Sequence, residues 1–128
     1  MGQMEPVRRP RRNLIERTTK YSLAAIQFYS GLPRDTVAGI LGRQFLRSAT
    51  SVGAQYREAQ RAKSIGDFLS KTEGALQELD ETEYWLELLE GSGLVSRTAA
   101  SELRDETAQL LAIFAAITKK AKERKWAN

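Results

Sequence analysis

The chain has 128 residues, 41% of them hydrophobic, with 20 Lys and Arg against 16 Asp and Glu for a net charge of +4. A chain of this length is one domain and buries roughly two-thirds of the surface its unfolded form exposes. The absence of Cys and His excludes disulfide frameworks, thiol nucleophiles, zinc-finger ligand sets and imidazole acid-base chemistry together, so the expectation is a non-enzymatic protein with no cofactor.

Residues 1–12 read as a disordered basic arm, with Arg8, Arg9, Arg11 and Arg12 set among two prolines and no apolar period. The first helix is predicted from about Asn13 to Ser30. Leu14, Thr18, Tyr21, Ala25 and Phe28 mark its buried stripe, and Gly31-Leu32-Pro33 ends it, because neither Gly nor Pro continues a helix cheaply. The second runs from about Asp35 to Arg61, capped by Asp35 or Thr36. Its predicted core face is Val37, Leu41, Phe45, Ser48, Val52 and Tyr56. A flank of Ala38, Gly42, Ala49 and Gly53 permits close backbone approach, and since each interior Gly costs about 1 kcal/mol relative to Ala, tight packing is the expected reason for them.

Ser64 and Asp67 resemble a capping box that opens the third helix, which ends at Gly91-Ser92-Gly93. Two stripes run along it. Phe68, Thr72, Leu76, Leu79, Leu86 and Leu89 read as core, while Asp67, Lys71, Gly74, Glu78, Glu81, Trp85 and Leu88 form an adjacent line of charge and aromatic surface that suggests a second partner. Residues 73–90 hold seven acids and no base. The fourth helix follows Ser96 as its cap and buries Ala100, Leu103, Thr107, Leu110, Phe114, Ile117 and Ala121. Its last turns carry Lys119, Lys120, Lys122, Arg124 and Lys125 at the negative end of the helix dipole, and residues 126–128 form a tail.

Short links between long amphipathic helices favour antiparallel neighbours. The predicted architecture is therefore all-α, an up-down-up-down antiparallel four-helix bundle over residues 13–125. Such topology brings both basic termini to one end, where they would attract phosphate backbones by counterion release; solvated arms have the same composition. The longest apolar run, Leu110 to Ile117, is eight residues against the roughly twenty that span a bilayer. No signal peptide is evident, and Pro6 stands where a myristoylation motif needs Ser or Thr. A cytoplasmic protein without a membrane partner is expected. Neither a Walker loop nor a dinucleotide fingerprint occurs.

Gln44-Phe45-Leu46-Arg47-Ser48-Ala49-Thr50-Ser51-Val52-Gly53-Ala54, then Arg57-Glu58-Ala59, Asp67-Phe68, Lys71, Ala75-Leu76, Glu78, Glu81-Thr82 and Tyr84-Trp85-Leu86 together resemble a bacterial four-helix-bundle family. That family is named for open reading frames in intervening sequences of the large-subunit ribosomal RNA gene. The resemblance spans about residues 14–124. It implies a small helical bundle that assembles as a pentameric ring, and a related bundle is the accessory protein of a retroelement reverse transcriptase. One departure is Gln55-Tyr56, where the family commonly has Asn-Ile or Asn-Tyr.

Two readings of the polar residues follow. In the structural one, Gln44, Arg47, Ser48, Ser51 and Glu58 on the second helix and Asp67, Lys71, Glu78, Glu81 and Trp85 on the third form a polar network or an oligomer interface. In the other, Glu58, Glu78 and Glu81 ligate a metal or act as acid and base, as facing helices allow; the missing His argues against it. The expectation is no metal, and Tyr84 and Trp85 as packing or interface anchors. Function is expected to be binding of RNA or another nucleic acid by a homo-oligomer, with Arg8, Arg9, Arg11, Arg12, Lys119, Lys120, Lys122, Arg124 and Lys125 contacting phosphates. The rival is a protein-interaction scaffold that uses the acidic third helix.

Overall fold

The computed structural model describes residues 10–127, with side chains from Asn13 onward. Four helices account for nearly all of it: α1 (Pro10–Ser30), α2 (Thr36–Gln60), α3 (Ile65–Gly91) and α4 (Arg97–Trp126). They form the up-down-up-down antiparallel bundle, with no strand among the described residues. Three of the helix starts follow the predicted caps. The side chains of Asp35, Ser64 and Ser96 accept hydrogen bonds from the backbone N–H groups of Ala38, Asp67 and Ala99, each at 3.0 Å, satisfying donors that have no partner inside the helix. The capping box is only half reciprocal, since the Asp67 carboxylate reaches the amide of Lys63 at 3.4 Å instead of that of Ser64.

α3 ends in a Schellman turn. Gly93 has φ 80°, and its N–H and that of Leu94 bond to the carbonyls of Glu90 and Leu89 at 3.0 and 3.1 Å, which is the paired arrangement that a left-handed residue closes. At the other boundary the sequence reading is corrected. α1 starts at Pro10, three residues before the predicted Asn13, because proline is tolerated in a first turn where its missing N–H has no partner to lose.

The core is one cluster along the bundle axis. Phe28 meets Phe45 edge-on with ring centroids 5.2 Å apart, and Tyr56 meets Phe114 at 5.5 Å. Three expected core faces are rotated. In α2, Val37 is 52% exposed and Ala38 is fully buried, since the seam through Phe45, Val52 and Tyr56, followed back seven residues, lands on Ala38. In α3 the buried seam is Leu69, Thr72, Ala75, Leu79, Thr82, Leu86 and Leu89, while Phe68 and Leu76 are half-buried at its edge. In α4, Ile117 is likewise half-buried, and Thr118 takes the inward place.

Buried hydroxyls cross-link the helices. Tyr21 shares a hydrogen bond with Thr107 at 2.6 Å, and Ser48 one with Thr82 at 2.8 Å. Burial pushes the Tyr21 phenol up to about 12, against the opposing pull of its bonds to Thr107 and Thr82. The small residues of α2 let α1 come close. A Cβ on Gly53 would stand 3.2 Å from the Thr18 hydroxyl, and one on Gly42 would stand 2.6 Å from Leu32 and 3.1 Å from the Tyr29 ring.

Candidate nucleic-acid interface

The second stripe of α3 lies against α2 of the same chain. Arg47 forks across it, with bonds to Glu78 at 3.3 Å and Glu81 at 2.5 Å, and Lys71 pairs with Glu58 at 3.3 Å. Ser48 is fully buried on Thr82, and the Ser51 hydroxyl donates to the Arg47 carbonyl at 2.7 Å. Asp67 serves the α3 cap, and Gln44 is exposed. Glu58, Glu78 and Glu81, the three carboxylates considered as metal ligands, are thus each engaged by a cation. Among the described residues no group of three or more acidic side chains converges as a metal site would require.

Trp85 is half-buried against the core, and its indole N–H is shielded without an acceptor among the described residues. Its ring tilts on Tyr84 at 5.2 Å. Val37, Ile40 and Tyr84 are each about half exposed.

The opposite end of the molecule is basic. There the end of α2, the turn into α3 and the last turns of α4 meet, and the start of α1 lies at the same end by topology. Lys119, Lys120, Lys122, Arg124 and Lys125 are all exposed. Lys122 pairs with Glu73 at 3.4 Å, and the Lys125 ammonium lies 5.4 Å from the Trp126 ring centroid and 3.5 Å from where a Gly66 Cβ would be. Sequence reading missed Arg61 and Lys63, which the α2–α3 turn adds to this group. Being two isolated bases between helices, they form no charge run. A cavity of about 500 Å³ opens here, lined by Lys63, Ile65, Phe68, Ile117, Lys120 and Arg124 among others. Arg8 and Arg9 lie outside the described residues. Arg11 and Arg12 fall in the first turn of α1, and their side chains lie outside the described set.

The acids of α3 are less available than their number suggests. Glu73, Glu78, Glu81, Glu83 and Glu90 are all ion-paired, the last two to Arg104 at 2.6 and 3.0 Å. Asp80 and Glu87 alone of the seven have no ion-pair partner among the described residues. No helix of the described chain is long and apolar enough to cross a membrane.

The family model described as 23S rRNA-intervening sequence protein matches residues 13–116. The lysine-rich last turns of α4 lie beyond the matched segment. A solved structure from Bacteroides thetaiotaomicron, described as a protein of unknown function from the S23 ribosomal protein family, is similar with a TM-score of 0.78 at 31% identity, over 83% of this chain and 98% of that one. No curated protein matches the chain. The match over most of the bundle, on the same α2 and α3 residues that carry the resemblance, means that this chain belongs to the 23S rRNA-intervening sequence protein family.

Proposed function

We propose that the protein is a non-enzymatic RNA-binding module that works as a homo-oligomer, in the number of five that the family resemblance implies. The observation that carries the RNA reading is the gathering of Arg61, Lys63, Lys119, Lys120, Arg124 and Lys125 at one end, none with an ion-pair partner among the described residues. Unpaired, exposed cations release counterions when phosphates replace their solvent, and this contribution needs no base contacts. The scaffold alternative has a weaker basis, because five of the seven acids on the α3 surface are neutralised within the chain.

Assembly is supported by the half-exposed Val37, Ile40 and Tyr84 and by Trp85, whose indole N–H has no acceptor among the described residues. A shielded donor of this kind costs about 1–3 kcal/mol unless it is satisfied. In a parallel ring, several basic ends would lie together, and weak contacts would add through high effective concentration.

The test is RNA binding as a function of salt. Deleting residues 1–9 leaves all four helices whole, and Lys120→Gln with Arg124→Gln removes two of the clustered charges. Each change should weaken binding and reduce the slope of log affinity against log salt, by about one for each phosphate that is no longer neutralised. Failure of the intact protein to bind RNA at low salt, or unchanged affinity in both variants, overturns the reading.

A further inference from the structure

The cavity at the basic end has two chemically distinct parts. Its floor is apolar: Ile65 and Phe68 from the first turn of α3 and Ile117 from α4 are half-buried, and Ala59 and Ala121 between them are almost fully buried. Its rim is cationic. Lys63, Lys120 and Arg124 come from two separate elements, and all three are exposed without an ion-pair partner among the described residues. The Asp67 carboxylate beside the rim is held toward the Lys63 amide at 3.4 Å, so it stays in the α3 cap. Phe68 was expected in the core, and its half-buried place here makes its ring part of the cavity wall.

An apolar floor beneath three free cations fits a ligand with a flat apolar body and an anionic edge. A nucleobase joined to its phosphate has this form, and an aromatic ring is a platform for any base because every base has a π-face. The volume of about 500 Å³ accommodates one nucleotide and not a stacked run. A duplex keeps its bases stacked inside and offers only its backbone to such a site, whereas an unpaired strand can turn a base outward.

We infer that this cavity receives one unstacked base of a single-stranded RNA against Phe68, with the adjoining phosphates on Lys63, Lys120 and Arg124. The inference rests on the RNA-binding reading of the same end, and it adds a preference for unpaired strands that basic termini alone would not produce.

Fluorescence anisotropy with a labelled single-stranded RNA of mixed sequence, and with the same strand annealed to its complement, separates the two. Tighter binding of the single strand is expected. Phe68→Ala should weaken it about tenfold, within the range that stacking on one aromatic contributes, and leave duplex binding unchanged. Equal affinity for both forms, or a folded Phe68→Ala variant that binds the single strand normally, overturns the cavity while the basic end stands. Absence of binding to either RNA overturns both. Should Phe68→Ala fail to fold, by circular dichroism, photo-crosslinking of the unaltered protein to a thiouridine-bearing single strand gives the answer. Adducts at residues 63–68 or 117–124 support the cavity, and adducts confined to other segments overturn it.

Discussion

The side-chain amide of Gln55 lies directly over Gly74, so that a Cβ built on the glycine would stand 2.9 Å from the amide carbon, nitrogen and oxygen alike. The longer amide that departs from the family pattern therefore reaches across from α2 into a space on α3 that a missing side chain leaves. The contact is one of packing, since the Gln55 amide has no hydrogen-bond partner among the described residues.

That relationship predicts opposite outcomes for two glycines. In Gly74→Ala the obstacle is the end of a flexible side chain that can swing away without losing a bond, while α3 gains about 0.5–1 kcal/mol of helix propensity. A small rise in melting temperature is expected. In Gly53→Ala the obstacle is the fully buried Thr18, whose hydroxyl is already bonded to the Leu14 carbonyl at 2.7 Å. A loss of about 1–3 kcal/mol is expected there, measured by denaturant unfolding.

Burial of Tyr21 makes stability fall at high pH. The phenol is held at about 12 in the folded protein against 10.0 for the free group, so the folded state keeps its proton longer than the unfolded one. The stabilisation is full below pH 10 and is lost as pH rises from about 10 to 12, by at most about 3 kcal/mol. Tyr21→Phe should remove this part of the alkaline loss. It should also cost about 1–2 kcal/mol at neutral pH, because the Tyr21 bond to Thr107 disappears. Unfolding curves across the alkaline range check both.

On the proposed assembly, replacement of the half-exposed residues should lower the mass of the particle without melting the fold. Ile40→Asp and Tyr84→Asp place charge at positions about half exposed, and light scattering should report a smaller particle with unchanged helix content by circular dichroism. Trp85→Ala should dissociate the oligomer too, but with a loss of chain stability, since its ring also packs on its own core. An unchanged mass in all three variants would remove these positions from any interface.

Breaking the Arg47 fork should have little effect on stability. Arg47 and Glu81 are each about half exposed in their side chains, and surface pairs of this kind contribute about 0–1 kcal/mol and less at high salt. Arg47→Ala should therefore shift the melting temperature by only a few degrees. Chelator treatment should leave the melt unaltered, the carboxylates Glu58, Glu78 and Glu81 being engaged by Lys71 and Arg47.

Local chemistry made much of this fold legible in the sequence. Asp35, Ser64 and Ser96 announce helix starts because a cap acts on an amide only three residues away, and Gly93 ends α3 because a left-handed turn needs no partner elsewhere. The helical period and the α2 and α3 motifs likewise carry the bundle and its family. The rotation of each helix was decided by packing: Ala38 in place of Val37, and Leu69 and Thr82 beside an outlying Phe68, follow from which faces meet across the bundle. Arg47 on Glu78 and Glu81 joins residues more than thirty apart, and the union of Lys63 with Lys120 and Arg124 needs residues about sixty apart to share one end. Each of those depends on the register between helices, which arises only when the whole core closes, and on that register the basic end and its cavity depend.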